Sequence, residues 1–291
     1  MRLVTFQRES YAEPGILFED QLIGLRGAGF TDLRALIAGG ADALDRAQRW
    51  LINPPGGERI EAATASLLAP IPRPPKIVCI GLNYRDHAAE SRMAIPDVPT
   101  VFAKFPTAAI GHRQPIVLPK ASTKPDYEAE FAVVIGRGGR RIKRDRALDH
   151  VAGYSLFNDA TIRDFQLRTP QWTMGKNFDG TGAFGPWLVT PDALPPGAHG
   201  LRIQGRLNGR VMQESSIDKL IFNVPALIEM ISVAISLEPG DVIITGTPGG
   251  VGAARKPPVF MQPGDVFEVE IEGMGVLSNS VQLESQEGAP L

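Results

Sequence analysis

A β-rich α+β fold is the class that the sequence predicts. Short segments rich in β-branched and aromatic residues recur between Gly, Pro and Asp, whereas helical patterns are few. The chain has 291 residues, of which 43% are hydrophobic and 21% are charged, which is ordinary for a globular protein. This length fits one large domain, or a large domain joined to a small one.

Charge and hydropathy exclude several classes of partner. The formal net charge is −2, so neither nucleic acid nor an anionic membrane surface is expected to bind. No segment approaches the roughly 20 apolar residues that cross a bilayer, and the first residues lack the apolar stretch of a signal peptide. The single cysteine, Cys79, rules out an intramolecular disulfide, and its apolar neighbours predict a buried side chain. A cytoplasmic location is expected.

Residues 1–70 are predicted to form a small N-terminal α+β module. Its first part alternates apolar and polar residues and is interrupted by Pro14-Gly15, which indicates short strands joined by turns. From Thr31 to Leu51 the apolar residues recur at helical spacing, with a break at Gly39-Gly40. Thr31 or Asp32 is the candidate N-cap of this helical part.

The proline-rich stretch at residues 70–75 marks a boundary, after which residues 71–291 are predicted to form a larger domain composed mostly of strands. A helix is predicted after its N-cap Asn223, with a buried stripe formed by Leu227, Ile228, Ile231, Ala234 and Ile235. The predicted strands of this domain are Ile77–Ile80, Ile116–Leu118, Ala129–Ile135, Val151–Phe157, Leu201–Leu207, Val242–Thr245 and Val266–Ile271.

Two acidic residues at the start of one predicted strand give the first chemical signal. Glu128 and Glu130 lie two residues apart, so both carboxylates point to the same face of the strand. Adjacent carboxylates repel each other unless a cation lies between them, and oxygen ligands suit Mg²⁺, Mn²⁺ or Ca²⁺ better than Zn²⁺. The pair therefore indicates a metal site, with a solvated acidic strand end as the alternative.

Asp159 is a candidate third ligand. It follows the apolar strand Val151–Phe157 and opens a turn rich in functional groups. A single aspartate at a strand end is also typical of a helix cap or a turn. Both interpretations of Asp159 remain open, because the sequence does not show whether Asp159 lies near the two glutamates in space.

A set of motifs occurs in a fixed order along the chain: His87, Asp126, Glu128, Glu130, Asp159, Lys176 and the turn Thr245-Gly246-Thr247-Pro248. This set resembles the fumarylacetoacetate hydrolase family, over most of the chain from about Pro74 to Val281. Two further stretches look most like the bacterial branch of diketo-acid hydrolases, isomerases and tautomerases, namely Trp172–Asp179 and Lys256–Met261.

The resemblance implies a fold, an assembly and a cofactor. The expected fold is a mixed, rolled β-sheet catalytic domain, and the expected assembly is a homodimer. A divalent cation, Mg²⁺ or Mn²⁺ with Ca²⁺ as a further candidate, is expected to be bound by Glu128, Glu130 and Asp159. Asp126 is expected beside these ligands without binding the ion itself.

The resemblance also assigns catalytic roles to His87, Glu90 and Lys176. His87 and Glu90 lie three residues apart and would face each other on a short helix, as the family's water-activating pair does. Lys176 would place a positive charge beside the oxygen of a developing enolate. From spacing alone, an exposed histidine with an incidental ion pair and an exposed lysine are the alternatives.

Three further residues match substrate-binding positions of the family. Arg163 and Gln166 follow Asp159 on one side of any helix there, and they would hold the substrate and polarise its carbonyl oxygen. Arg163 would bind a carboxylate through two parallel hydrogen bonds. Thr247 would contact the substrate carboxylate, with the backbone amides of its glycine-rich turn as alternative donors.

The function predicted first is hydrolysis of a C–C bond in an acylpyruvate or related β-diketo acid, in which His87 activates water and the metal stabilises the departing pyruvate enolate. The same site would serve tautomerisation, isomerisation or decarboxylation of a 2-oxo acid such as oxaloacetate, because these reactions share the enolate. A non-catalytic metal-binding module is the third alternative, against which the candidate dyad and lysine argue. The expected partner of the enzyme is a small 2-oxo acid.

Overall fold

Strands dominate the structure, a computed structural model that describes residues 1–52, 59–86 and 95–285. The α-helices are α1 (Leu33–Ala38), α2 (Gly40–Ile52), α3 (Arg163–Gln166), α4 (Thr173–Lys176) and α5 (Val224–Ala234). The strands are β1 (Arg2–Arg8), β2 (Tyr11–Phe18), β3 (Gln21–Gly24), β4 (Arg59–Glu61), β5 (Leu67–Leu68), β6 (Ile77–Gly81), β7 (Thr100–Lys104), β8 (Ala109–Ile110), β9 (Ile116–Leu118), β10 (Pro125–Asp126), β11 (Ala129–Ile135), β12 (Val151–Asp159), β13 (Thr161–Ile162), β14 (Gly182–Val189), β15 (Arg202–Leu207), β16 (Arg210–Ser216), β17 (Val242–Ile244), β18 (Val266–Ile271) and β19 (Gly275–Leu283).

Two large sheets carry the fold of the described part of the chain. The larger has 12 strands in the hydrogen-bonded order β4-β3-β2-β1-β14-β12-β11-β17-β6-β7, with β5 beside β1 and β8 beside β14. Most neighbours are antiparallel, but β17 and β6 are parallel, so the sheet is mixed. The second sheet has 5 strands in the order β16-β15-β18-β19-β9, and β10 pairs with β13 apart from both. The predicted β-rich α+β class with a mixed sheet is confirmed.

The central strand β11 is buried on both faces and separates two parts of the core. Phe131 and Val133 pack with residues of the second sheet and of α5, whereas Ala132 and Val134 belong to the cluster that includes α1 and α2. Because side chains alternate along a strand, Glu130 shares the face of Ala132 and Val134. The acidic end of β11 therefore points to the face of the large sheet on which α1 and α2 pack.

The helices predicted between Thr31 and Leu51 and after Asn223 are present, with a difference at the end of the second. Asp32 is the N-cap of α1, since its Oδ1 accepts a hydrogen bond from the Ala35 amide at 2.7 Å. Asn223 caps α5 in the same way, through the Ala226 amide at 3.1 Å. Leu227, Ile228 and Ile231 form the buried stripe of α5 as expected. Ala234 is exposed at the last position of the helix, and Ile235 follows the helix and is half-buried, so neither extends the stripe.

The N-terminal strands differ from the prediction at Pro14-Gly15. Strand β2 runs through both residues, with Thr5 of β1 opposite Pro14. The chain turns instead between β1 and β2, where Glu9 adopts a φ of 50°. Pro14 has no amide hydrogen to donate, but its carbonyl accepts a hydrogen bond from the Leu25 amide at 2.8 Å. A proline is therefore accommodated inside this strand.

The division into residues 1–70 and 71–291 stays a prediction. The structure adds that β1 pairs with β14, so the two predicted units share one sheet. Every helix among the described residues is too short or too polar to span a membrane.

Candidate active site

The ends of β11 and β12 bring three carboxylates together. The two strands are antiparallel, with Glu130 opposite Phe157 and the Asp159 amide donating to the Glu128 carbonyl at 3.0 Å. One carboxylate oxygen from each of Glu128, Glu130 and Asp159 lies within 4.8 Å of the others, and all three side chains are buried. The side chain of Asp159 therefore belongs to an acidic cluster and caps no helix.

Two buried lysines contact this cluster. Lys176, at the end of α4, places its Nζ 2.7 Å from Oε2 of Glu128 and 2.7 Å from Oδ2 of Asp159. Lys104, at the end of β7, places its Nζ 2.9 Å from Oδ1 of Asp159, a second ion pair to this carboxylate. Lys104 also donates a hydrogen bond to the backbone carbonyl of Lys176. Lys176 is therefore not an exposed lysine.

Arg163 and Gln166 of α3 extend the charged cluster. Nη1 of Arg163 lies 2.8 Å from Oε1 of Glu128 and 3.0 Å from Oε1 of Gln166, so the two residues share one side of the helix, as their spacing indicates. Nε of Arg163 donates to Oδ2 of Asp126 at 2.8 Å. Asp126 also accepts backbone hydrogen bonds from the turn after β17, which places it beside the three clustered carboxylates but outside their group.

Glu130 lacks a cationic partner among the described residues, because none of their lysine or arginine nitrogens lies within ion-pair distance of it. Its Oε2 accepts a hydrogen bond from the Gly246 amide at 2.6 Å. Burial, together with the charges of Asp159 and Glu128, raises the pKa of Glu130 well above its ordinary value. Its ionised form is therefore disfavoured in the metal-free protein.

The paired groups are held in their charged forms. Burial alone would raise the pKa of Glu128, but the charges of Lys176 and Arg163 outweigh it and lower that pKa. Burial would likewise raise the pKa of Asp159, which Lys104 and Lys176 lower instead. For Lys176, burial would lower the pKa, whereas Asp159 and Glu128 raise it. Both carboxylates are therefore ionised, and Lys176 is a cation at neutral pH.

Among the described residues, the charges of this cluster balance only while Glu130 is protonated. When all four carboxylates are ionised, they stand against three cations and leave one negative charge in excess; the carboxylates are Asp126, Glu128, Glu130 and Asp159, and the cations are Lys104, Arg163 and Lys176. A buried carboxylate without a partner is costly. Three oxygen donors that can reach one point are also a ligand set for a hard divalent ion. The residues present therefore fit a divalent cation.

The cluster opens into a cavity of about 300 Å³. Its polar lining includes Glu128, Glu130, Arg163, Gln166, Lys176 and Thr247. Its apolar lining includes Leu82, Phe102, Leu167, Trp172 and Val251. Trp172 packs edge-on against Phe102, with 5.4 Å between the ring centroids. A cavity of this size, with charged groups next to apolar ones, suits a small anionic molecule.

Thr247 lines the cavity, but its hydroxyl has partners within the protein. It donates to the Ala129 carbonyl at 3.0 Å and accepts from Nε2 of Gln213 at 2.7 Å. The Gly246 amide in the same turn is occupied by Glu130. Contact of Thr247 with a substrate carboxylate stays a prediction, and these hydrogen bonds fix its turn to the start of β11.

Two residues near the site were not singled out from the sequence. Lys104 contacts Asp159, and Gln213 of β16 accepts from the Ala129 amide at 2.9 Å while donating to the Pro248 carbonyl at 2.9 Å. Neither stands in a motif, and lysine and glutamine are mostly exposed. The apolar residues before Lys104 are the one available signal; they indicate a strand but not the burial of its last residue.

The predicted pair His87 and Glu90 lies outside the described residues. The other predicted site residues lie within them, and the structure brings seven of these around one cavity or its acidic cluster: Glu128, Glu130, Asp159, Arg163, Gln166, Lys176 and Thr247. Their roles stay predictions, whereas their proximity is a structural finding.

Comparison with known proteins agrees with this geometry. The family model described as fumarylacetoacetate (FAA) hydrolase C-terminal matches residues 76–282. A relative from Xenopus laevis, named oxaloacetate tautomerase fahd2, mitochondrial, is 40% identical over 294 residues, which cover 97% of this chain and 90% of the relative.

Solved structures share the fold over nearly the whole chain. A putative HpcE protein from Mycobacterium smegmatis has 34% sequence identity and a TM-score of 0.86, with 98% of this chain and 100% of that chain covered. Maleylpyruvate hydrolase from Sphingobium sp. SYK-6, in complex with manganese(II) ion and pyruvate, has 28% identity and a TM-score of 0.83 at the same coverage, 98% and 100%. The chain therefore belongs to the fumarylacetoacetate hydrolase family and is an enzyme of that family.

Proposed function

We propose that the protein is a metal-dependent tautomerase that interconverts the keto and enol forms of a small 2-oxo acid, oxaloacetate foremost. One observation carries the proposal: a buried three-carboxylate cluster, in which Glu130 has no cationic partner among the described residues, opens into a small cavity beside Lys176 and Arg163. The name of the Xenopus laevis relative, similar over 97% of this chain, supports tautomerisation over the C–C hydrolysis predicted first from the sequence.

Glu128, Glu130 and Asp159 would hold the cation. Their donors are all carboxylate oxygens, which favours Mg²⁺ or Mn²⁺, with Ca²⁺ as a further candidate. The manganese in the similar maleylpyruvate hydrolase supports an ion of this class. A bound divalent cation supplies Lewis-acid polarisation of the substrate's 2-oxo group.

Lys176 and Arg163 would bind and orient the substrate. Because its carboxylate neighbours raise the pKa of Lys176 against the effect of burial, this residue stays protonated and donates hydrogen bonds towards the 2-oxo oxygen. Nε and Nη1 of Arg163 are held by protein oxygens, which fixes the plane of the guanidinium. Its Nη2 has no hydrogen-bond partner among the described residues and would donate to a substrate carboxylate. The two parallel hydrogen bonds expected from the sequence are replaced by this single one, because Nε and Nη1 already donate to protein oxygens.

Tautomerisation moves one proton between C3 and the 2-oxo oxygen. Lys176 is a poor acceptor for the C3 proton, because it is already a cation. We assign the transfer at C3 to the Nε2 or Nδ1 atom of His87, with Glu90 as its orienting partner. This assignment rests on the sequence alone.

Oxaloacetate provides the test. Freshly dissolved enol is followed by its ultraviolet absorbance, with EDTA-treated enzyme and again after Mg²⁺ or Mn²⁺ is restored. We expect the enol signal to relax faster than in buffer only when metal is present, with total oxaloacetate unchanged. Metal-loaded enzyme that leaves the relaxation rate at the buffer value contradicts the proposal.

C–C hydrolysis of an acylpyruvate is the second candidate, favoured by the likeness to maleylpyruvate hydrolase. Acetylpyruvate distinguishes the two, because hydrolysis yields pyruvate and acetate whereas tautomerisation yields neither. His87→Ala should abolish hydrolysis, since no other residue was predicted to activate water. A protein that turns over neither compound but binds the metal would instead be a non-catalytic metal-binding module.

The proposed assembly is a homodimer. Four apolar side chains on or next to β7, α3 and α4 are exposed, and such surfaces often mark protein contacts; they are Val101, Phe105, Leu167 and Met174. Light scattering at micromolar concentration should give twice the mass of one chain. A mass of one chain contradicts the dimer.

The cytoplasmic location stays a prediction. The word mitochondrial in the name of the Xenopus laevis relative does not fit it. Fractionation of cells that make the native protein decides the compartment.

A further inference from the structure

Lys104 is a buried lysine to which neither the sequence motifs nor the proposed reaction gives a role. It ends β7, at the edge of the large sheet, yet its side chain has 0% exposure. Its ammonium contacts two different elements: Oδ1 of Asp159 at 2.9 Å and the backbone carbonyl of Lys176. One buried ammonium therefore joins a candidate metal ligand to the backbone of the candidate catalytic lysine.

The large sheet leaves room for this side chain at one glycine. Gly182 of β14 lies directly opposite Asp159 of β12. A Cβ at position 182 would lie 2.6 Å from Cε of Lys104, closer than such atoms pack, and 3.0 Å from Cζ of Phe157, a tight contact. The lack of a side chain at Gly182 thus provides the space through which Lys104 reaches Asp159.

Further contacts fix β7 to the residue after Lys176. The Phe105 amide donates to Oδ1 of Asn177, and Nδ2 of Asn177 donates to the Ala103 carbonyl at 3.1 Å. Both sequence neighbours of Lys104 are therefore tied to Asn177. Lys104 is held from both sides, so the fold determines where its ammonium lies.

We propose that Lys104 is a positioning residue whose ammonium sets the place of the Asp159 carboxylate for metal binding and of Lys176 for catalysis. The inference rests on the proposed metal-dependent function.

Removal of the Lys104 ammonium would change cation binding in two opposite ways. Loss of a positive charge near the carboxylates would by itself strengthen cation binding. Loss of the tether lets Asp159 and Lys176 leave their positions and weakens it.

The experiment measures Mn²⁺ binding by titration calorimetry in Lys104→Met, which removes the charge and keeps an apolar stem. We expect the dissociation constant to rise at least about tenfold, as for loss of a group that orients a metal ligand. At saturating Mn²⁺, we expect kcat for oxaloacetate tautomerisation to fall with little change in KM, because the position of Lys176 changes. Gly182→Ala keeps the ammonium but displaces its stem, and should also weaken Mn²⁺ binding.

Lys76→Met is the matched control. Lys76 also pairs with a fully buried aspartate, Asp241, with 3.0 Å between Nζ and Oδ2, but it lies outside the acidic cluster. We expect it to lower the thermal midpoint while leaving the Mn²⁺ dissociation constant within about twofold of the wild type.

The Mn²⁺ affinities distinguish a positioning role of Lys104 from a role in charge balance alone. Unchanged or tighter Mn²⁺ binding by Lys104→Met shows that the lysine only balances charge, and overturns the positioning role. If that variant does not fold, Gly182→Ala decides alone, and wild-type affinity in it overturns the role. A wild-type protein that binds no Mn²⁺ overturns the proposed function, and this inference with it.

Discussion

Replacement of Glu130 by Gln separates metal binding from stability. Glutamine keeps the length of the side chain and an oxygen that accepts the Gly246 hydrogen bond, and it removes one negative charge. Glu130 is the clustered carboxylate without a cationic partner among the described residues, and its pKa is raised by burial and by its acidic neighbours. We therefore expect the metal-free variant to match or exceed the wild type in free energy of unfolding.

Metal binding should change in the opposite direction. Glu130 supplies one of three carboxylate oxygens that lie within 4.8 Å of one another. Loss of a group that merely orients a ligand already costs about 10- to 100-fold in metal affinity. Loss of a ligand charge should therefore weaken Mn²⁺ binding at least about 100-fold, or about 2.8 kcal/mol at about 1.4 kcal/mol per factor of ten.

Asp159→Asn is the matched control, because it also removes one carboxylate charge. Asp159 pairs with Lys104 at 2.9 Å and with Lys176 at 2.7 Å, so the control leaves two buried ammonium groups short of a partner. We expect it to lose about 3–5 kcal/mol of stability as well as the metal.

Urea unfolding in EDTA measures the free energies of unfolding, and titration calorimetry with Mn²⁺ measures the affinities. Wild-type Mn²⁺ affinity in Glu130→Gln would refute the ligand assignment. A loss of stability in Glu130→Gln as large as that in Asp159→Asn would refute the charge argument.

Lys176→Met removes the ammonium that two carboxylates share. We expect steady-state kinetics of the Mn²⁺-saturated variant to show a kcat at least about 100-fold lower than that of the wild type. An unchanged kcat would show that Lys176 has no role in the reaction. The raised pKa of Glu130 gives the metal-free protein stability that is present below its unfolded pKa and lost as the pH rises through its folded pKa. Mn²⁺ should therefore raise Tm more at about pH 8 than at about pH 6 in calorimetry; the reverse order would contradict this sign. Gly246→Ala should lower the free energy of unfolding in urea by more than about 1 kcal/mol. Gly246 has a φ of 99°, and a Cβ added there would lie 2.9 Å from the Cβ of Asn83. Wild-type stability of this variant would show that the turn adapts.

Local patterns predicted the elements that carry the acidic residues. The strand Ala129–Ile135 has the predicted bounds, because an unbroken apolar run buried on both faces has few alternatives. The two-residue spacing of Glu128 and Glu130 predicted that they share a face, since alternation is a property of the strand itself. The caps Asp32 and Asn223 were predictable for the same reason, because a cap depends on the next three residues.

Patterns that depend on distant partners were not predictable in this way. Pro14 indicated a turn, yet it lies inside β2 because the pairing of β2 with β1 extends past it. Lys104 and Gln213 belong to residue types that are usually exposed, and only the packing of other elements buries them. Thr247 lines the cavity as its predicted role requires, but nothing in the sequence indicated that its hydroxyl accepts from Gln213 of the second sheet.

The sequence by itself determined the strand that bears two carboxylates and, through its ordered motifs, the family and the class of chemistry. The tertiary structure decided that Asp159 joins those carboxylates, that Lys104 and Lys176 bind it from two sides, and that Glu130 has no cation among the described residues. The physical reason is distance: side-chain alternation acts between adjacent residues, whereas the charge on a buried site is the sum over strands and helices that meet only when the chain has folded.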